Sequence, residues 1–445
     1  MIIDKEMFEQ NMSDNGLVPD VLAKLIKRHE SEKKKLEHLM EYYWGRHSIR
    51  NRVRDSKLPN NKVTANFAKY ITDMAVGYFL GSPVSYTANR DIDKITDCFY
   101  SQGISRIDTE IAKMCSIYGM GYELIYADEN ADVCSAALSP MYTFEVYDNS
   151  VKHNKLCAVN YYIETDIDGN NRYYVVSLYT DKYIFTFESQ GTTTANMRLT
   201  GISEHFFGDV PVIEYINNSE RQGDFEQVIS LIDAYNILQS DRINDKEQFV
   251  NAFLVLIGIE IDSDQAQKLK EEKILCAPET GGDAKYLCKT LTESDTEVLR
   301  DCLVDDIHKF SLVPDLTDDK FGGNLSGVAI RYKLLAFEQM TKNKEQYFSV
   351  GLRERFKIYN NFLNVKKAVP IIPQTDIEPV FKRNLPVNEY ELSQMIVNLK
   401  DRVSEETLLG RLPFVTDAHE EAEIVKKQRE EENHSMMGLG GYDEQ

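Results

Sequence analysis

Cysteine is scarce in this 445-residue chain, and the few copies are poorly spaced for chemistry. They stand at 98, 115, 134, 157, 276, 288 and 302, an odd number with no C-x-x-C and no gap shorter than 12. That argues against a disulfide framework and against a zinc site, and fits free thiols in a reducing cytoplasm. Long apolar runs are missing as well: the longest, Ala252 to Ile259, falls far short of a bilayer span. The opening "MIIDKEMFEQ" lacks the basic start and apolar core of a signal peptide, so the expectation is a soluble protein made in the cytosol. Positive charge is in deficit. With 51 Lys and Arg against 72 Asp and Glu the formal net charge is −21, which weighs against tight binding of nucleic acid through phosphate neutralisation.

Catalytic signatures are also missing. There is no G-x-x-x-x-G-K-[ST] phosphate cradle, no G-x-S-x-G elbow and no H-E-x-x-H. The eight histidines are scattered, and none pairs with a cysteine or carboxylate at metal-ligand spacing. Pro314-Asp315…Asp318-Asp319-Lys320 spells a compressed form of the signature of metal-dependent nucleases. That chemistry needs carboxylates on neighbouring strands, and these lie within seven residues of a polar loop. The chain reads as non-enzymatic, with no catalytic residue, no metal and no cofactor expected.

What is present is enough to build cores: 42% of residues are apolar, and the length suggests about two to four domains. Residues 18–44 predict an amphipathic helix, with Leu22, Leu25, Ile26, Leu36, Leu39 and Tyr43 among charges. A basic segment follows: Arg46, Arg50, Arg52, Arg54, Lys57, Lys62 and Lys69 against Asp55 alone. Its two readings are a solvated helix flank and a phosphate or subunit contact. Next come the helical run "VTANFAKYITDMAVGYFLG", a strand "VSYTA" and a helix at about 104–119. The tracts "YELIYAD", "CAVNYYIET", "RYYVVSLYT" and "KYIFTFE" alternate as strands do, with Asp168-Gly169 as a hairpin turn. Residues 18–223 therefore predict one α+β body.

From Asp224 to Ile257 the pattern is helical, with a narrow stripe of Phe225, Val228, Ile232, Tyr235, Leu238, Ile243, Phe249 and Phe253. Everything around it is polar, so the expectation is a helix facing water or polar subunit surfaces over most of its girth. A small module at 258–292 is expected to hold a short helix near Gln265 and the strand-like pieces "KILCA" and "AKYLC". Thr292 to Leu312 predicts a helix with an acidic face. Val313-Pro314 stops it, Gly322-Gly323 frees the backbone, and Ser326 is placed to cap the next helix. From Val328 to Leu363 no proline interrupts a helical pattern on the order of 55 Å long. Residues 365–385 read as extended and returning to the body, 387–432 as a helical acidic end, and the tail beyond Asn433 as disordered.

Four stretches together resemble the portal proteins of tailed bacteriophages, of the siphophage type. "YYWGRHSI" (Tyr42 to Ile49) is similar to the family's Y-Y-x-G-x-x-x-I start. "LPNNKVTANFAKYITDMAVGYFLGSPVSY" (Leu58 to Tyr86) is similar to its P-N-N-K-x-x-x-N-F-x-K-x-I-x-D…G-Y-x-x-G-x-P signature. "LIDAYNILQSDRINDKEQFVNAFLVLIG" (Leu231 to Gly258) resembles its I-D-x-Y-N-x-x-x-S-D stem helix. "VPDLTDDKFGGNLSGVAIRYKL" (Val313 to Leu334) resembles its P-D-x-x-D-x-x-F-x-G-N-x-S-G-x-A-x-x-Y-K element. The final 60 residues carry no such motif.

The resemblance implies the phage portal fold, an α+β arrangement. On it, residues 1–223 would be the wing, 224–252 and 293–312 two stem helices, 253–292 a small α/β clip and 313–327 the tunnel loop. Residues 328–385 would be the long wing helix and its return, and 386–445 the helical crown and a disordered tail. It further implies a ring, typically of twelve copies, at one capsid vertex of the virion. The implied partners are the terminase large subunit that drives packaging, a head–tail adaptor, the major capsid and scaffold proteins, and double-stranded DNA passing through the channel, with no membrane. On that reading Asp315, Asp318, Asp319, Lys320, Gly322 and Gly323 form the DNA-facing tunnel loop. Asp233, Asp241, Asp245, Glu247, Asp301 and Asp305 are the stem candidates for the lumen, whose acidity would let the duplex slide. The alternative is an intracellular helical scaffold or adaptor without a channel, which would have no reason to close a ring.

Overall fold

A computed structural model describes residues 1–56, 58–169, 172–250, 253–257, 283–287, 293–316, 327–383, 389–400, 402–412, 415 and 418–439. They divide into two compact units, one of residues 1–315 with 336–383, the other of residues 316–335 with 384–445.

The first unit is layered. Its larger sheet has the order β1 (Ile2–Ile3), β7 (Thr143–Asp148), β8 (Lys155–Thr165), β9 (Arg172–Tyr179), β10 (Tyr183–Gln190) and β11 (Arg198–Glu204). From β7 onward it is an antiparallel meander, which the alternating aromatic and β-branched residues favour. Gly169, at φ +72°, lies in the turn between β8 and β9. Beneath the start of the meander sit short α1 (Lys5–Asn11), the pair β2 (Met12–Ser13) and β3 (Gly16–Leu17), and long α2 (Pro19–Tyr43). Leu22, Leu25 and Ile26 of α2 pack with Val159, Val176, Leu178, Phe185 and Phe187 in one core cluster. Each such side chain, fully buried, stabilises by roughly 1.5–3 kcal/mol.

On the other face lies a three-stranded sheet, β12 (Val212–Ile216), β5 (Met120–Ala127) and β6 (Val133–Leu138), meeting the meander at Tyr122, Ala158, Tyr179, Val210 and Val212. It is backed by α3 (Phe67–Leu80), α4 (Asp93–Gln102), α5 (Ile104–Tyr118) and α9 (Leu335–Val365), which share the largest core cluster. α4 is too short and polar to stand out by apolar spacing. Gly351 of α9 sits where an added Cβ would lie 2.4 Å from the Tyr215 ring, so the glycine permits the close approach of α9 to β12. The extended return is held by β15 (Ile377–Val380), antiparallel to β4 (Ser85–Ala88), and by Arg383, which meets Glu338 at 2.9 Å and also Glu345.

Two helices complete the described part of this unit, α6 (Ile229–Val250) and α7 (Glu293–Ser311). The helical pattern read through Ile257 stops earlier: Phe253–Ile257 is a strand, β13, paired antiparallel with β14 (Asp283–Leu287). The run "FLVLI" is short, apolar and partly β-branched, and a strand partner outcompetes helical periodicity there. "KILCA" and the helix expected near Gln265 lie outside the described residues.

The second unit contains α8 (Gly327–Lys333), and the helix expected as one piece from Val328 is interrupted at Leu334. The Leu334 amide bonds the Ile330 carbonyl at 3.0 Å. The acidic end forms α10 (Glu389–Leu399), α11 (Glu405–Leu409) and α12 (Ala418–Leu439). Ser404 caps α11, and Arg429 of α12 bonds Glu405 at 2.6 Å. The helix continues past Asn433 to Leu439, where disorder was expected, and Met436 and Met437 are residues that favour helix.

Candidate functional site

Two of the sequence motifs, at 42–49 and 58–86, meet the third along α6. Residues 60–65, ahead of α3, belong to no helix and have no strand beside them among the described residues. Their backbone is paired by side chains instead. The amide of Asn61 donates to Asn244 Oδ1 at 2.8 Å, that of Val63 to Ser240 Oγ at 3.0 Å and that of Ala65 to Asn236 Oδ1 at 2.8 Å. Every second residue of the segment thus meets every fourth residue of the helix. The geometry allows it, since two extended residues advance about 6.6 Å and four helical ones about 6 Å. Asn236, Ser240 and Asn244 are all completely buried.

His47 from the first motif locks the same ladder. Its Nε2 lies 3.0 Å from the Tyr42 carbonyl, which can only accept, so Nε2 carries the proton. Nδ1 then accepts from Asn236 Nδ2 at 2.8 Å, while the other end of that amide accepts from Ala65. Burial lowers the pKa of His47, which keeps the ring neutral as this pattern requires. Tyr42 stacks on His47 with ring centroids 4.6 Å apart and donates to both Asp233 oxygens at 2.8 and 2.7 Å. Burial, and to a smaller degree Asp233, raise the pKa of the Tyr42 hydroxyl and keep it a donor.

The acidic stem candidates separate into two groups. Asp233 is bonded to Tyr42, Asp241 takes both Arg52 and, at 2.6 Å, Arg54, and Glu247 accepts from Asn61 at 2.6 Å. These are stitched to the wing. Asp245 is half-buried on α6, whereas Asp301, beside Arg300, and Asp305 are exposed on α7. The basic segment is partly consumed by the same contacts, since Arg52 and Arg54 both converge on Asp241.

Buried Asn236, Ser240 and Asn244 depart from the expectation that the polar girth of α6 meets water or other subunits. Ile232 is buried as expected, but Ile243, part of the apolar stripe, is 45% exposed. Apolar spacing could not show this. The signal was the N-x-x-x-S-x-x-x-N spacing opposite a polar "PNNKVTAN" segment with many amides to satisfy.

The chain leaving α7 is fixed with equal care. Leu312 adopts φ +60°, a left-handed turn that ends the helix, and Val313 is fully buried behind it. His308 Nδ1 donates to the Val313 carbonyl at 2.9 Å, and the Tyr70 hydroxyl donates to the Pro314 carbonyl at 3.2 Å. The His308 ring stands edge-on to Phe67 and Tyr70 of α3, and Asp315 lies 3.9 Å from its Nε2. Asp318, Asp319, Lys320, Gly322 and Gly323 lie outside the described residues. At the other end of α6, Asp224 joins three elements: it accepts from Ser116 at 2.6 Å and Asn217 at 2.8 Å, and pairs with Lys344 of α9.

Among the described residues no group of three or more His, Cys, Asp or Glu side chains is placed to hold a metal, and no helix is long and apolar enough to cross a membrane.

A family model described as phage portal protein, SPP1 Gp6-like, matches residues 22–435. The portal protein of Bacillus phage SPP1 is 22% identical over 435 residues, covering 92% of this chain and 86% of that protein. The portal protein of Clostridium phage phiCD119 is 22% identical over 392 residues, covering 83% and 85%. Among solved structures, a chain from the "Neck of native GTA particle computed with C12 symmetry" matches with a TM-score of 0.46 at 10% identity, over 77% of this chain and 88% of that one.

Proposed function

We propose a function from a settled premise: the chain belongs to the SPP1 Gp6-like family of phage portal proteins. Its role is that of a portal, the connector between head and tail. The observation that carries this is the family match across residues 22–435, which takes in all four motifs. On that basis we assign the chain to the virion, in a closed ring of about twelve copies at one capsid vertex. In this reading α6 and α7 are the stem, β13 and β14 belong to the clip, and residues 313–327 form the tunnel loop against the passing duplex. Its working partners are the packaging terminase, a head–tail adaptor, and the scaffold and major capsid proteins.

The described geometry supports this division of labour. A stem helix under load needs a stiff attachment, and α6 has one in the ladder to residues 61–65 and in the Asp224 joint. The tunnel loop needs a fixed root, and His308 and Tyr70 hold Val313 and Pro314. Exposed Asp301 and Asp305 are the stem carboxylates still open to an outside partner. Asp233 and Asp241 already serve the wing. Negative-stain imaging and native mass measurement of the purified protein, with and without scaffold, test the ring. Closed rings with a central channel are expected. Monomers alone under both conditions would remove the ring reading and favour the adaptor.

A further inference from the structure

We propose that the exposed patch around Trp44 is the socket for the acidic face of α7 on a neighbouring copy of this chain. The inference rests on the ring reading and specifies one of its seams. Trp44 is the single tryptophan of the chain and follows α2 at 57% exposure. The Arg46 guanidinium lies over its indole, 5.0 Å from the centroid. Exposed Arg50 and Lys62 are held together, because Lys62 Nζ donates to the Arg50 carbonyl at 2.7 Å. Val53 nearby in sequence is 90% exposed. Large apolar surface set among cations is costly to leave in water, and Trp with Arg is the pairing most often found at the centre of binding interfaces.

The complement is on α7. Glu297, Asp301 and Asp305 recur every fourth residue, so they line one stripe about 12 Å long, and all three are exposed. Exposed Val298, at 63%, and Leu299 stand beside the stripe. Arg300 bonds Asp301 within it, leaving the stripe acidic on balance. Both surfaces are open in the single copy, so neither covers the other. Two different patches that fit one another make a heterologous contact, and repeated by a fixed rotation such a contact closes a ring. Duplex DNA is the competing occupant of the cations. The net charge of −21 repels it, and Arg52 and Arg54 are already committed to Asp241.

Trp44 reports its own patch, since tryptophan emission has no other source in the chain. On ring assembly the emission should move to shorter wavelength and lose accessibility to iodide. Arg46→Glu with Arg50→Glu should weaken assembly roughly tenfold or more, the weight of one close interfacial charge pair. Asp301→Lys with Asp305→Lys should do the same, and the variant carrying all four changes should recover assembly. That recovery separates a lost contact from a lost fold. Rings in which Trp44 stays open to iodide, or reversals that assemble normally, would overturn the seam while the ring reading stands. Failure of the parental protein to form rings with scaffold would remove both. An emission change in isolated copies on adding short duplex DNA, with normal assembly of the reversed variants, would make the patch a DNA contact instead.

Discussion

Two helices of the same unit bury opposite kinds of face. α9 turns Phe337, Phe348, Leu352, Phe356, Ile358 and Tyr359 inward, with two charged residues, Lys344 and Arg355, among them. α6 buries Ile232 and then Asn236, Ser240 and Asn244, and leaves Ile237 and Ile243 in the open. The difference lies in what each helix faces. α9 meets the apolar surface of β12 and β5, where buried area decides. α6 meets a lone segment whose amides have no strand partner, and an unpaired buried amide costs about 1–3 kcal/mol. Amide and hydroxyl side chains at four-residue spacing serve that need better than leucine could.

The largest effect should come from Arg355, the more deeply buried of the two. Arg355 Nε bonds both Glu123 oxygens at 2.8 and 2.9 Å, and its Nη2 lies 2.6 Å from Asp108. Burial disfavours its charge, but Asp108 and Glu123 outweigh burial and hold the guanidinium pKa above its usual value. Arg355→Met leaves two buried carboxylates without their cation and should cost about 3–5 kcal/mol in urea denaturation. A loss under about 1 kcal/mol, the range of an exposed pair, would mean that water reaches the cluster and the contrast with α6 is weaker than drawn.

Acid should act next, through histidines that serve as neutral partners. His29 of α2 donates from Nε2 to the Pro140 carbonyl at 3.0 Å and accepts from the Tyr161 hydroxyl at 2.9 Å. Burial pulls its pKa down to about 4 from the ordinary 6.5. The folded value lies below the unfolded one, so the contribution is complete above pH 6.5 and is lost as the pH falls toward 4. The loss amounts to about 3 kcal/mol. His47 is shifted in the same direction, and its protonation would set an N–H against the Asn236 amide. Denaturation midpoints of the parent, His29→Gln and His47→Gln between pH 7.5 and 4.5, values chosen to span that window, check this. A flat profile for the parent would refute it.

The ladder itself supplies a smaller test in which hydrophobicity and hydrogen bonding predict opposite signs. Asn236→Leu adds apolar surface to a buried site, yet it removes the acceptor of the Ala65 amide and the donor to His47. The expected result is a loss of about 1–3 kcal/mol and faster hydrogen exchange at Ala65. A gain in stability would show that the segment finds other partners.

Much of this architecture was legible in the sequence. The α2 stripe, the meander strands and the α9 stripe follow apolar period alone, because each faces an apolar neighbour. The α6 ladder was not, because polar residues at helical spacing read as a solvated face unless the bare backbone opposite is known. β13 was hidden for a related reason: five apolar residues in a row fit a buried helix end as well as a strand. The aspartates proposed for the tunnel loop were picked out by resemblance, but the bond from Tyr70 to Pro314 just before them joins residues more than 230 positions apart, which no local pattern reveals.

The smallest effect should be the most telling about α6. Ile243 belongs to the stripe that apolar spacing assigns to the core, and in that role Ile243→Ser would cost at least the roughly 1.5–3 kcal/mol of a buried isoleucine. In the structure the side chain is 45% exposed, on the same helix whose asparagines are sealed. The substitution should therefore change the stability of the isolated copy by no more than about 0.5 kcal/mol, as surface changes do. Measured beside Asn236→Leu, it inverts the usual ranking: the polar-to-apolar change inside should harm more than the apolar-to-polar change outside. If Ile243→Ser proves the more damaging of the two in the isolated copy, α6 is seated by its apolar stripe after all, and the ladder is a consequence of that seating and not its cause.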